Sequence, residues 1–306
     1  MCGIFGLISY ENETPSARRV DHIKQLIMDL LLASESRGRD ASGIFVVNER
    51  ASFLYKNNIK GSEIPKMRKF KFVLNHINPM YKLKSVIGHT RSQTKGSPIF
   101  NINNHPIIIN NIIGVHNGVI SNDDPLFDKY KQRIERKGQV DSEIIFQLIE
   151  FYINKGLSSI EAVEKTVKKL YGSYACAFVD INDSNYVTIF KGQSYATAVV
   201  RDYRQIKTAL FASTSYILDK ATENNSYFDE RFISKEIDLK KDMGLQVSAI
   251  TGSIVQFDID SNPSYYGLPY TGQSPNSDYD INWPYHETYN KYRSGAQNLG
   301  SLDMED

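Results

Sequence analysis

Cys2 stands one residue from the start of the chain, a position that gives a thiol chemistry an internal cysteine lacks. Removal of Met1 would leave Cys2 with a free α-amine beside its sulfur. A thiol with an ordinary pKa of about 8.5 and an α-amine near about 7.7–8.0 would then share one residue. The amine could take and return the proton of the nucleophile near neutral pH. The plainer reading of Cys2 is a small buried hydrophobe opening a strand.

Other residues could serve a reaction at that sulfur. Arg91 lies in the polar segment GHTRSQTKGSP at 88–98, where a guanidinium can hold a carboxylate through a forked pair of hydrogen bonds. In isolation such an arginine is surface decoration. Asn117-Gly118 could offer a side-chain and a backbone N–H to a developing oxyanion, although Asn-Gly is also the commonest tight-turn pair. Asp141 precedes the apolar run SEIIFQLIEFYIN and reads as a helix cap. His89 and His116 read as satisfied structural histidines, and Cys176, in SYACAFV, as core. No His, Asp or Glu cluster has metal-ligand spacing, so neither a metal nor another cofactor is expected.

The elements that must position these residues follow from periodicity. Residues 1–9 are an apolar run that reads as a buried first strand. Apolar side chains at helical spacing predict a helix over 20–35, broken at Gly38. Strands are expected at 42–48, 51–55, 86–89, 107–109 and 112–116, with Asn110-Asn111 turning between the last two. Two adjacent helices follow, the first capped by Asp141 and the second by Ser158 or Ser159. Short strands then recur at 173–179, 186–190, 196–201 and 209–212, and a hairpin closes around Gly252. The segment 60–84 is rich in Lys and Arg, with Glu63 its one acidic residue, and reads as a short helix with a basic face. Crossover helices do not recur between the strands, which argues against a doubly wound sheet and for mostly antiparallel sheets with helices outside. From residue 259 on, the composition shifts to Tyr, Asn, Ser, Pro and Gly. This predicts a body at 1–258 and a tail at 259–306, flexible or docked.

Composition limits the function classes. The chain has 306 residues, with 36 Lys and Arg against 35 Asp and Glu, and this balance gives no reason to expect nucleic acid as a partner. Two cysteines outside any CxxC pair fit a reducing compartment. No run reaches the roughly 18 apolar residues of a membrane span, and the N-terminus does not read as a secretory signal. A cytoplasmic protein is expected.

The segments MCGIFG at 1–6, SRGRDASGI at 36–44, GHTRSQTKGSP at 88–98, NNHPI at 103–107, GVHNGVI at 114–120 and VDSE at 140–143 resemble, in order and spacing, the class II glutamine amidotransferases. Weaker similarity continues through 171–180 and 211–218. The resemblance implies an α+β fold, the four-layer αββα sandwich of N-terminal-nucleophile hydrolases with two mostly antiparallel sheets. It implies a glutaminase that hydrolyses L-glutamine to glutamate and ammonia through a thioester on Cys2. Asn117 and Gly118 would form the oxyanion hole. Arg91 and Thr94 would hold the substrate carboxylate, and Asp141 its ammonium. Arg37 and Asp40 would belong to a buried network supporting the cysteine.

The resemblance also implies that the segment from Arg91 to Pro98 closes over glutamine. Ser92, Gln93 and Lys95 depart from the Trp, Ala and His of the glucosamine-forming branch. None of the acceptor domains known in the family fits the remaining length, so a separate synthetase or transferase subunit is the expected ammonia acceptor. The basic 60–84 segment and the tail are candidate docking surfaces. The alternatives are an N-terminal-cysteine hydrolase acting on another amide, which would not need Arg91 paired with Asp141, and a catalytically silent glutamine-binding or scaffold protein of the same fold.

Overall fold

The computed structural model describes residues 2–192 and 195–261. Strand β1 (Gly3–Ser9) runs straight from the N-terminus and is buried along its whole length. Helix α1 (Ala17–Ser34) follows, capped by Ser16, whose side chain accepts from the Arg19 N–H. After it come β2 (Ala41–Asn48), β3 (Ser52–Asn57), helix α2 (Arg68–Asn75) and β4 (Leu83–Arg91). β5 (Ile107–Ile109) and β6 (Ile112–Ile120) form a hairpin. Its turn is Asn110, at φ 48°, as expected for an Asn in a tight turn.

Helices α3 (Asp123–Tyr130), α4 (Ser142–Ile153) and α5 (Ser159–Val167) lead into β7 (Gly172–Asp180) and β8 (Tyr186–Lys191). Ser158 caps α5 in a full capping box with Glu161. The remaining elements are β9 (Val199–Tyr203), β10 (Thr208–Ala212), α6 (Ser215–Thr222), β11 (Lys235–Asp238), β12 (Met243–Ser248) and β13 (Ile254–Asp258).

Among the described residues the strands form two sheets, ordered β11-β9-β10-β1-β4-β2-β3 and β13-β12-β8-β7-β6-β5. Every pairing is antiparallel. Side chains alternate across each strand, and this alternation creates three cores. Phe5 and Leu7 of β1 pack with α1, α2 and α6 on the outer face of the first sheet. Ile4 and Ile8 face the other way, onto Ile113, Val115, Ala175 and Ala177 of the second sheet. Tyr174, Cys176 and Phe178 of β7 pack outward against α3, α4 and α5. The result is the four-layer αββα sandwich.

The basic segment is a 3-10 turn at Gly61–Lys66 followed by α2. Phe70, Val73 and Leu74 are its buried face, while Arg68, Lys69 and Lys71 are exposed. Ile259 packs into the outer core of the second sheet. The expected tail lies outside the described residues from 262 on. No helix of the described residues is long and apolar enough to cross a membrane.

Candidate active site

The alternation that builds the core between the sheets also sorts the candidate residues. Gly3 pairs with Thr90 and Ile4 with His89, so the register carries Cys2 to the level of Arg91 at the end of β4. Cys2 keeps step with Ile4 and Ile8, Arg91 with Ile87, and Asn117 with Ile113 and Val115. All three therefore belong by parity to the face between the sheets. His89 links the two sheets at this end, its Nε2 lying 3.0 Å from the His116 carbonyl oxygen.

The Cys2 sulfur is buried, 3.4 Å from both the N–H and the carbonyl oxygen of Ser92. Burial pushes the thiol pKa up. The Ser92 N–H and the Arg91 charge pull it down, and the Asp141 charge opposes them. Cys2 is thus close enough to feel a guanidinium and a carboxylate at once. Arg37 Nε donates to the Cys2 carbonyl oxygen at 2.8 Å. Asp40 is exposed, not buried as expected. It still braces the site, since its N–H donates to the Arg91 carbonyl and its Oδ2 accepts the Gln93 N–H at 2.6 Å.

Arg91 is only 3% exposed. Its Nη1 donates to Asn104 Oδ1 at 2.8 Å, and its Nη2 to the carbonyls of Lys95 and Gly96 at 2.7 Å each. Gly96 adopts φ +78°, a left-handed conformation natural to glycine, which shapes the loop around the guanidinium. Thr94 sits exposed one residue before the first of these carbonyls.

Asn117 and Gly118 do not form a turn. β6 runs on through Ile120, pairing Asn117 with Ala175, Gly118 with Tyr174 and Val119 with Ser173. Continued pairing, not a reversal, accounts for the glycine. Gly118 has φ +143°, and a Cβ there would lie 1.8 Å from the Ser173 carbonyl oxygen. Asn117 is 1% exposed, and neither its Oδ1 nor its Nδ2 has a hydrogen-bond partner among the described residues. An unpaired buried amide carries a desolvation penalty of about 1–3 kcal/mol. Its donor is free for a ligand.

Asp141 occupies the N-cap position of α4, but its side chain makes no capping bond. Its Oδ2 instead accepts the Ile120 N–H at 2.6 Å, because the end of β6 passes beside it. Its neighbours in VDSE follow suit. Ser142 Oγ lies 2.8 Å from His116 Nδ1, and Glu143 accepts the N–H groups of Lys137 and Gly138. His89 and His116 are buried with lowered pKa values, burial being the main cause, His89 to about 3. Both are neutral near pH 7.

Sequence reasoning missed the brace behind Arg91. Lys56 Nζ donates to the carbonyls of Asn104 and Pro106 at 2.7 and 2.9 Å. Asn104 in turn holds Arg91 and, through Nδ2, the Pro98 carbonyl at 2.7 Å. Burial and the nearby Arg91 charge lower Lys56 to about 8. The motif NNHPI was a signal for Asn104, but nothing in β3 distinguished Lys56 from a solvent-facing lysine. Among the described residues no three His, Cys, Asp or Glu side chains gather into a group able to hold a metal ion.

Residues 98–220 match the family described as glutamine amidotransferase domain. The isomerizing glutamine–fructose-6-phosphate aminotransferase of Staphylococcus aureus is 37% identical over 196 residues, 63% of this chain and 30% of that protein. Its Staphylococcus epidermidis counterpart is 34% identical over 195 residues, with the same shares of each chain. This chain thus spans about 30% of the length of the curated relatives it matches. A solved glutamine phosphoribosylpyrophosphate amidotransferase from B. subtilis matches with a TM-score of 0.62 at 17% identity, covering 86% of this chain and 50% of that one. That likeness identifies the fold.

Proposed function

We propose that this chain carries the glutaminase domain of the class II glutamine amidotransferases and hydrolyses L-glutamine to glutamate and ammonia at Cys2. The observation that carries the reading is the strand register, which brings Cys2 level with Arg91, while Asp141 holds the end of the strand that carries Asn117. A guanidinium and a carboxylate are the two charges needed to hold the carboxylate and ammonium of an amino-acid zwitterion. An amide lacking those groups would pair with neither charge.

In the proposed reaction Met1 is removed and Cys2 becomes the N-terminal residue. Its α-amine accepts the thiol proton as sulfur attacks the carboxamide carbon. The oxygen, now negative, is held by the Asn117 side-chain N–H and the Gly118 backbone N–H, donors fixed before the charge develops. The tetrahedral adduct collapses with loss of ammonia, which leaves with the proton the amine returns. A γ-glutamyl thioester remains on Cys2. Water, deprotonated by the same amine, attacks the thioester and releases glutamate. Arg91 and Thr94 position the carboxylate and Asp141 the ammonium, while Arg37 and Asp40 hold the chain around Cys2 and Ser92. The ammonia passes to a separate acceptor-modifying synthetase or transferase subunit. A chain acting in this way belongs in the cytoplasm.

The test is glutamate release from glutamine by protein whose intact mass confirms loss of Met1. Cys2→Ala should lower turnover at least about 1,000-fold with an unchanged circular dichroism spectrum. Butyramide, which lacks the α-carboxylate and α-ammonium of glutamine, should be a poor substrate. Normal turnover by Cys2→Ala, or equal use of the two amides, would overturn the reading.

A further inference from the structure

The guanidinium assigned to the substrate carboxylate is already engaged, and by the loop that Arg91 itself begins. Its Nη2 donates to two carbonyl oxygens, those of Lys95 and Gly96, at 2.7 Å each. A forked pair with a carboxylate would need a hydrogen of this nitrogen that the carbonyls now hold. Glutamine can therefore reach this nitrogen only after the loop has given it up.

What holds the loop there is visible at Lys95. Its ammonium donates to Asp123 Oδ2 at 2.6 Å and to both oxygens of Asp124 at 2.9 Å. Those carboxylates open α3 and do not depend on Lys95 for their placement. Arg136 Nη2 reaches Asp123 at 2.7 Å and its Nη1 pairs with Asp124, while its guanidinium lies over the Phe127 ring at 4.6 Å. The anchor is thus built from α3 and Arg136, and Lys95 is the link from the loop to it. The same residue supplies the carbonyl that occupies Arg91 and the ammonium that ties the loop down. Its side chain is 37% exposed, so water and salt reach the link, and a link of this kind is of modest strength.

We propose that Lys95 is a positioning residue for glutamine capture: clasped by Asp123 and Asp124, it latches the 92–98 loop in a self-occupied state that the substrate carboxylate must displace. The inference rests on the reading of Arg91 as the carboxylate clamp. Release of the latch swings the carbonyls of Lys95 and Gly96 off the guanidinium, which frees Nη2 for one arm of a forked pair with the substrate carboxylate.

The experiment compares Lys95→Met, Lys95→Arg and wild type by glutamine kinetics and by hydrogen exchange of the amides of residues 93–97. Lys95→Met should lower the glutamine KM about 3- to 5-fold, with a smaller change in kcat, and should speed exchange in the loop. Lys95→Arg, which keeps the charge, should stay near wild type in both. Raising salt from about 50 to about 500 mM should lower the wild-type KM and leave that of Lys95→Met flat. An unchanged or raised KM in Lys95→Met, with normal turnover, overturns the latch and leaves the glutaminase reading standing. If wild type releases no glutamate, the glutaminase reading fails and exchange alone decides the latch. Faster exchange in Lys95→Met but not in Lys95→Arg upholds it, and unaltered exchange overturns it.

Discussion

The two cysteines show how one residue type at similar depth acquires opposite characters. Cys2 is 8% exposed and Cys176 0%, and burial raises the pKa of both. Asp141 pushes each of them further up. At Cys2 this is opposed by the Ser92 N–H and the charge of Arg91. At Cys176 the opposing influences are missing, and the thiol is held well above its usual range. Parity explains the difference. Cys2 shares the face of Ile4 and Ile8 between the sheets, where the polar ends of β4 and β6 converge. Cys176 turns outward with Tyr174 and Phe178 into an apolar core against the helices. The proposed nucleophile has donors placed around its sulfur that Cys176, at similar depth, lacks.

The comparison sharpens most at the residue that lies near neither sulfur's hydrogen bonds. Asn117 is buried, with both amide atoms unpartnered among the described residues, as a donor waiting for an oxyanion would be. Asn117→Ala should lower kcat about 100- to 1,000-fold with little change in KM. Because the substitution removes an unpaired buried amide, the melting temperature should hold or rise. Stopped-flow and steady-state glutamate release measure the first effect, and calorimetry the second. A loss of stability in place of a loss of kcat would return Asn117 to the role of a structural strand residue.

The next effect is electrostatic and separates the two thiols directly. Asp141 raises the pKa of Cys2 by repelling the thiolate, so Asp141→Asn should shift the pH profile of Cys2 alkylation by iodoacetamide to lower pH. The amide retains an acceptor oxygen for the Ile120 N–H, which keeps the strand end in place. Peptide mass mapping should find Cys2 modified long before Cys176 in both proteins. A profile that does not move would mean that Asp141 and the sulfur are better screened than their proximity implies.

Much of this site could be read from alternation and motif. The apolar pattern of 1–9 and 112–116 defines strands, and the segments carrying Cys2, Arg91, Asn117 and Asp141 match the family in order. Three features were hidden because they depend on parts of the chain remote in sequence. Asn117-Gly118 looks like a turn because an Asn-Gly pair carries a strong local turn preference. Only pairing with β7, more than fifty residues on, keeps it in a strand. Asp141 looks like a cap, but the end of β6 offers its N–H to the same carboxylate. Lys56 looks like a solvent-facing strand residue until the 104–106 segment folds over it and supplies two carbonyls. Helices α3 and α6, eight residues each, are not read from the sequence, whereas α2, of the same length, is marked by its basic run.

The smallest effect tests the inert cysteine. Cys176→Ala should leave glutamate release within about 2-fold of wild type and cost about 1 kcal/mol of stability at pH 7, the price of a small void in a packed core. That cost should shrink as pH rises. The folded thiol is held protonated by burial, whereas the unfolded one ionises through its ordinary pKa of about 8.5. Above that pH the unfolded chain binds fewer protons than the folded chain, so the wild type loses stability that the alanine variant, with no thiol there, does not lose. Urea denaturation of both proteins at pH 7 and about pH 9.5 reads this directly, because the contribution of Cys2 is common to the two and cancels. A cost that stays constant across that range would show that Cys176 ionises as easily folded as unfolded, and the contrast between the two sulfurs would then come from access alone.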